Sequence, residues 1–172
     1  MPAEALANEI QGLPPDALLE RAGDLEVYLT SAEHMPNVLR EIGRLREITF
    51  RAVGEGTGRA LDLDRFDWYY LHLFVWNARK QEIAGAYRLQ GSDQTVDLYT
   101  RTLFQYEDRF LKAMGPALEL GRSFIRPSIR GASLRCCCCG KASASSSRAT
   151  RAISCCSARS ASAINIRPSR ES

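Results

Sequence analysis

The chain has 172 residues, 45% hydrophobic and 25% charged, which suits one folded domain. No apolar run reaches the roughly 18 residues of a membrane span. The opening MPAEALANEI lacks the basic start and apolar centre of a secretory signal. The formal charge of +3 averages two unlike parts. Residues 128–172 hold seven Arg and one Lys against one Glu, a net +7, and subtracting that from +3 leaves −4 for residues 1–127. All six cysteines lie in the same tail, at 136–139 and 155–156. A body without cysteine suits a reducing compartment.

Taken in chain order, LPPDALLERAG predicts a short helix with Pro15 in its first turn and Gly23 as its stop. LEVYLTSA alternates Leu25, Val27 and Leu29 against Glu26, Tyr28 and Thr30, a half-buried strand. MPNVLREIGRLREITFRAV sets Val38, Ile42, Leu45 and Thr49 on one helical face with Leu39 and Ile48 beside them. Arg40, Arg44 and Arg46 fall on other faces, and GEGTG at 54–58 ends the helix. WYYLHLFVW (68–76) and IAGAYRL (83–89) predict buried strands joined by NARKQE as a hairpin. LFQYEDRFLKAM (103–114) has helical spacing closed by Gly115-Pro116, and ALELGRSFIRP (117–127) is a strand ending at Pro127.

After that strand the composition changes. No aromatic residue follows Phe124, and four cysteines stand side by side. A zinc or iron–sulfur site needs spaced ligands such as C-x2-C, so no metal site is expected. A basic arm for nucleic acid would carry interleaved aromatics, and the tail has none. Loss of one nucleotide near codon 128 accounts for the text better. Each original codon would then be one unknown base followed by the first two bases of the residue now present. Cys then stands for Leu, Met or Val, and Ser for Phe, Leu, Ile or Val. CCCCGKASA permits Leu-Leu-Leu-Leu-Trp-Lys-Gly-Ile-Gly, an apolar helix. The expectation is an out-of-frame, disordered tail over 128–172.

EIGRLREITFRAVGEGTG, DLDRFDWYYLHLFVWN, IAGAYRL and ALELGRSFIRP resemble the GNAT-type N-acyltransferases of the hemolysin-like family, which includes ornithine lipid acyltransferases. The pattern is also similar to acyl-homoserine-lactone synthases: Arg46 and Phe50, then Asp64 and Asp67, then Arg88, then Glu119 and Arg122 as E-x-x-R. The resemblance implies an α/β (α+β) fold with a mixed central sheet flanked by helices. Residues 1–24 would be a helical lead-in and 25–127 the first part of the acyltransferase domain, truncated by the tail. It implies acyl transfer from a thioester, on acyl carrier protein phosphopantetheine or coenzyme A, to a small amine, in membrane lipid synthesis. No cofactor would be permanently bound. The implied place is cytoplasmic, with peripheral contact at the inner membrane face, and no nucleic acid partner. In the fold so implied, the strand ending at Pro127 is central, and the loop and helix after it hold the donor's phosphates. Those elements are the ones replaced, so the chain as written is expected to have little activity. The reading of a different class is a non-catalytic accessory domain, once attached to a lysophospholipid acyltransferase.

The implied chemistry assigns roles. An alkylammonium has a pKa of about 10 and must lose a proton before it attacks. A carboxylate can take that proton, and the tetrahedral oxyanion needs N–H donors. Glu119, with Arg122, is the first choice for a catalytic or orienting carboxylate; alternatively it braces the fold by pairing with Arg122 or Arg88. Asp62, Asp64 and Asp67 either contact the acceptor's ammonium or form a solvated acidic loop. Arg46 and Arg51 either steer the phosphopantetheine or acidic carrier or form a wet helix face. Phe50 and Arg88 complete the substrate-binding set. His72 reads as a hydrogen-bonded core histidine, GEGTG as a flexible loop near the acceptor, and Trp68, Tyr69, Tyr70 and Trp76 as packing.

Overall fold

The computed structural model describes residues 1–95, 97–105, 107, 109, 115 and 117–129. Their elements run α1 (Ala3–Gln11), β1 (Leu18–Ala22), β2 (Leu25–Ser31), α2 (Pro36–Arg51), β3 (Leu71–Asn77), β4 (Glu82–Gly91) and β5 (Leu118–Ile125), with short 3-10 turns between. The strands form one sheet in the order β1-β2-β3-β4-β5. This is the α/β class expected. The expected sheet is mixed, whereas each of the four junctions among the described residues is antiparallel. Of the predicted helix over 103–114 only 103–105, 107 and 109 are described, and Pro127–Ile129 form a 3-10 turn; the rest of that helix and of the tail lies outside the described residues.

The N-terminal lead-in is not a continuous helical region. The helix is earlier, at Ala3–Gln11, and LPPDALLERAG forms a 3-10 turn over Pro15–Ala17 followed by β1. Two consecutive prolines remove two N–H donors and hold the chain extended before the turn. Gly23 is not a helix stop but a hairpin residue: Ala22 faces Leu25, and Gly23 takes φ +62 between them.

Helix α2 starts on Pro36, and its first residues donate to a carboxylate borrowed from α1. Glu9 accepts from the N–H of Asn37 at 3.0 Å and of Val38 at 2.6 Å. A negative group satisfies helix N-terminal donors that Met35 cannot cap. Val38, Leu39, Ile42, Leu45 and Thr49 are buried as predicted, whereas Ile48 is exposed.

Both helices pack on one face of the sheet. Leu6, Ile10, Val38, Ile42 and Leu45 meet Tyr28, Phe74, Trp76, Ile83, Ala86 and Phe124 there. Tyr28 stacks on Phe74 with ring centroids 5.3 Å apart. The inward residues of β2 are therefore Tyr28 and Thr30, opposite to the simplest reading of its alternation; Leu25, Val27 and Leu29 are only partly buried. Tyr28 buries more apolar area than a leucine and keeps its hydroxyl on Glu26 at 2.7 Å.

Strands β4 and β5 approach closely at Gly85, where a Cβ would lie 2.7 Å from the Phe124 carbonyl oxygen. Gly85→Ala must push the two strands apart, with an expected loss of about 1–3 kcal/mol in urea unfolding. Gly12→Ala meets nothing nearer than 3.5 Å and should stay within about 0.5 kcal/mol of the unsubstituted chain. Equal midpoints for both variants would remove the close approach as a constraint.

Candidate active site

One step along the sheet, the face that carries the core turns ionic. The row Tyr28–Phe74–Ala86–Phe124 is apolar, and the next row on that face is Thr30–His72–Arg88–Gly121. Thr30, His72 and Arg88 are all buried, and α2 adds Arg46 with no exposed surface. Arginine so placed needs acceptors nearby.

They come from the loop 62–67. Gly43 on α2 lets this loop lie close, since a Cβ there would sit 2.7 Å from the Leu63 side chain. The Asp62 N–H donates to the Gly43 carbonyl at 3.1 Å. Asp64 and Asp67 then bracket the 3-10 turn Arg65–Trp68 as a reciprocal cap. Phe66 N–H donates to Asp64 Oδ1 at 2.9 Å, and Asp64 N–H to Asp67 Oδ2 at 2.8 Å.

Asp67 is the hub. Arg46 Nη1 donates to both its oxygens, at 3.0 and 3.1 Å, and also to the Asp62 carbonyl at 3.1 Å. Arg88 Nη1 lies 3.2 Å from Asp67 and 2.5 Å from Asp64. His72 Nε2 donates to the Asp67 carbonyl at 2.8 Å. Burial pushes the imidazole down to about 4, so it is neutral at pH 7. Arg88 is also enclosed by rings: its guanidinium carbon is 5.5 Å from the centre of Phe66 and 5.2 Å from those of Tyr70 and Tyr99.

Strand β5 supplies the last residues through a bulge. Arg88 pairs with Gly121 and Ala86 with Phe124, so β5 has one residue more than β4 over this stretch. Arg122 sits in the bulge at φ +54. A non-glycine residue held there costs about 1–3 kcal/mol and persists only where its surroundings over-determine it. Its guanidinium lies 3.4 Å from Asp62, 3.7 Å from Asp64, and over the Tyr99 ring at 5.7 Å. Burial raises the Asp62 carboxyl against the pull of Arg122 and Arg46. Burial also pushes Asp64 up, but the Arg88 hydrogen bond and charge, the Phe66 N–H and Arg122 outweigh it and hold that carboxyl low.

Glu119 pairs with neither arginine. Tyr70 donates to its Oε1 at 2.8 Å, and Thr100 donates to its Oε2 from the N–H at 3.2 Å and the hydroxyl at 2.7 Å. The Tyr70 hydroxyl accepts the Tyr99 N–H at 2.8 Å. Glu119 thus clasps the turn Tyr99–Thr102 onto the cluster, with both oxygens occupied.

Residues 45–137 match the family described as an acetyltransferase (GNAT) domain. The chain belongs to the GNAT acetyltransferase family. A glycine N(alpha)-acyltransferase of Bacteroides thetaiotaomicron is 45% identical over 111 residues, covering 58% of this chain and 33% of that protein. Another of that name, from Phocaeicola vulgatus, is 45% identical over 111 residues, covering 58% of this chain and 34% of its own length. The chain thus spans about a third of these relatives. No solved structure matches. GNAT acyltransferases draw the acyl group from an acyl-CoA thioester.

Within this GNAT domain, Arg46, Asp64, Asp67, Arg88 and Arg122 come together in one ionic cluster, with Glu119 clasped beside it. Arg46 is not on a wet helix face, and Asp62 and Asp67 are not solvated; only Asp64 and Arg122 present about a quarter of their side chains to solvent. Among the described residues, Phe50 makes no ring or cation contact with the cluster. Arg51 turns to Glu47 at 2.6 Å. Tyr70 and Trp76 are packed, whereas Trp68 is exposed. GEGTG is held: Glu47 accepts from the Thr57 hydroxyl, the Thr57 N–H and the Gly58 N–H at 2.7, 2.9 and 3.0 Å. The Thr57 hydroxyl, followed by Arg51 and the two N–H groups, holds the Glu47 carboxyl down to about 2 despite its burial. Phe66, Tyr99, Thr100 and Glu47 were not legible as site residues. The D-x-x-D spacing of Asp64 and Asp67 was a signal for the reciprocal cap.

Two outcomes follow for stability. Arg46→Met strips the hub of its fully buried cation and leaves buried acceptors behind, so urea unfolding should show a loss of about 3–5 kcal/mol; a loss below about 1 kcal/mol would place the anchoring elsewhere. His72 has a folded pKa of about 4 against an ordinary 6.5, so the unfolded chain binds more protons between those values. Its contribution is present above pH 6.5 and falls away as pH drops toward 4. From pH 7 to pH 5 the chain should lose about 2 kcal/mol more than His72→Gln does, and parallel losses would refute the assignment.

Proposed function

We propose that this GNAT domain is the acceptor-binding part of an N-acyltransferase that acylates the amine of a small amino acid, glycine being the first candidate. The donor is an acyl thioester, on coenzyme A or on the phosphopantetheine of acyl carrier protein. The observation that carries this reading is the buried ionic cluster. It is balanced, three arginines against three aspartates, and reaches solvent through one carboxylate, Asp64, and one guanidinium, Arg122. The names of the two relatives support glycine as acceptor.

In the reaction the free amine attacks the thioester carbonyl and a C–N bond forms. The tetrahedral intermediate then breaks its C–S bond. The thiolate leaves with a proton, and the nitrogen loses one as the amide forms. Asp64 receives the incoming ammonium. Asp62, whose carboxyl is raised by burial, is the better-matched proton acceptor. Glu119 acts as the orienting carboxylate, fixing Tyr70 and the Tyr99 turn. A bulge leaves its extra residue unpaired in the ladder, so the backbone N–H groups of Gly121–Ser123 are the first candidates for the oxyanion donor. Arg46 then supports the acceptor site through Asp67.

An amino acid carrying a long acyl chain is an amphiphile, so membrane lipid chemistry of the ornithine-lipid kind, at the cytoplasmic face of the inner membrane, is the setting we propose for the product. Exposed Val53, Trp68 and Leu103 suit peripheral contact. No helix among the described residues is long and apolar enough to cross a membrane. We read the tail as out of frame on its composition, six cysteines and no aromatic residue after Phe124.

The source DNA, sequenced across codons 126–130, supplies the restored frame. The restored protein and the chain as written are then offered acyl-CoA or acyl carrier protein with glycine or ornithine. The expected result is transfer to glycine by the restored protein and at least about a hundredfold less by the chain as written, since the loop and helix expected to hold the thioester donor's phosphates belong to the segment after Pro127. Equal rates overturn the frame reading. No transfer from any thioester overturns the enzyme reading and favours an accessory domain.

A further inference from the structure

We propose that Arg122 anchors the acceptor's carboxylate and Asp64 its ammonium, so that the site selects zwitterionic amino acids over simple amines. This rests on the acyl-transfer reading above for its biological meaning, but the binding it requires can be tested without transfer.

The three arginines of the cluster are not equivalent. Arg46 and Arg88 are fully buried, one with its Nη1 shared between both oxygens of Asp67 and the other enclosed by three rings and two carboxylates. Arg122 is partly open, and its carboxylate neighbours stand at 3.4 and 3.7 Å. Arg46 and Arg88 each hold a carboxylate by a hydrogen bond from Nη1 and leave Nε and Nη2 buried without one; among the described residues no hydrogen bond joins Arg122 to any acceptor, and its Nε and the neighbouring Asp62 Oδ2 are buried without a hydrogen-bond partner. Guanidinium groups ordinarily meet carboxylates in short, paired N–H···O contacts. Here charge is matched and hydrogen bonding is not, which leaves room for a carboxylate supplied from outside.

The charge count sets the ligand class. Arg46, Arg88 and Arg122 already balance Asp62, Asp64 and Asp67. A bare anion would bring a third carboxylate to a guanidinium that has two, and a bare cation would compete with Arg88 for Asp64. A zwitterion adds no net charge and offers each exposed group its complement. The backbone supports the same placement: Arg122 is kept at φ +54 although glycine precedes it and would fit the bulge without strain. A side chain retained at a conformational cost suggests that the guanidinium is needed where it is.

The full chain is titrated with glycine, methylamine and acetate by calorimetry. Glycine should bind at least about tenfold more tightly than either fragment. Arg122→Gly suits the left-handed backbone, so its urea midpoint should hold or rise while glycine binding falls about tenfold or more. Arg122→Lys should keep part of that binding. Asp64→Asn should weaken glycine and methylamine alike. Glycine bound no better than methylamine, or bound equally by the folded Arg122→Gly chain, overturns the inference. Glycine binding that needs Arg122 in a protein that transfers no acyl group leaves the inference standing and removes the enzyme reading instead.

Discussion

Asp67 is the constraint on which the polar half of the molecule depends. It touches Arg46 from α2 and Arg88 from β4, and its carbonyl takes the proton of His72 from β3. Through the Asp64 N–H it also shapes its own loop. One carboxylate without solvent exposure therefore fixes a helix, two strands and a turn. Pairs of this kind are rarely the most stable filling for an interior, since apolar side chains of similar volume often do as well. Placing this one at the end of the apolar core, beside a partly open carboxylate and guanidinium, makes sense if fixed charge is what the position must supply. Preorganised charges do not have to reorient when a ligand arrives.

The bulge in β5 performs the complementary task. Residues three apart on a regular strand point to opposite faces. Glu119 and Arg122 nonetheless both reach the Tyr99–Thr102 turn, one by hydrogen bonds to Thr100 and Tyr70, the other by lying over the Tyr99 ring. The extra residue and the positive φ at Arg122 reverse the alternation and bring E-x-x-R onto one side. The same distortion loosens the ladder where a backbone donor is wanted. Strain, motif spacing and geometry thus share a single cause.

Much of this was legible in the sequence, and the failures have physical reasons. Val38, Ile42, Leu45 and Thr49 marked α2 because burial follows the helical period. The β3–β4 hairpin followed from two apolar runs around a polar turn. Arg46 was misread because periodicity assigns a charged residue to water; nothing local shows that a loop sixteen residues later brings Asp62 and then Asp67 over it. Tyr28 and Thr30 took the inward face because stacking on Phe74 and pairing with His72 depend on β3, remote in sequence. LPPDALLERAG failed for the usual reason that composition favours a helix while strand pairing decides. The gathering of Asp64, Asp67, Arg88 and Arg122 came from family resemblance rather than from spacing, and Phe50 shows that such a transfer does not bring every member of a motif into contact.

The cluster also explains why Glu119 is poorly placed to act alone. Three donors converge on its two oxygens, from Tyr70 and Thr100. Both oxygens are thereby committed to holding the Tyr99–Thr102 turn. Asp62 differs: it is buried, its carboxyl is raised, and one oxygen accepts no hydrogen bond. Of the carboxylates near the bulge it is the one whose environment favours holding a proton and whose geometry leaves a place for one. Glu119 holds the turn with both oxygens, whereas Asp62, two residues before the cap, keeps one oxygen free of hydrogen bonds.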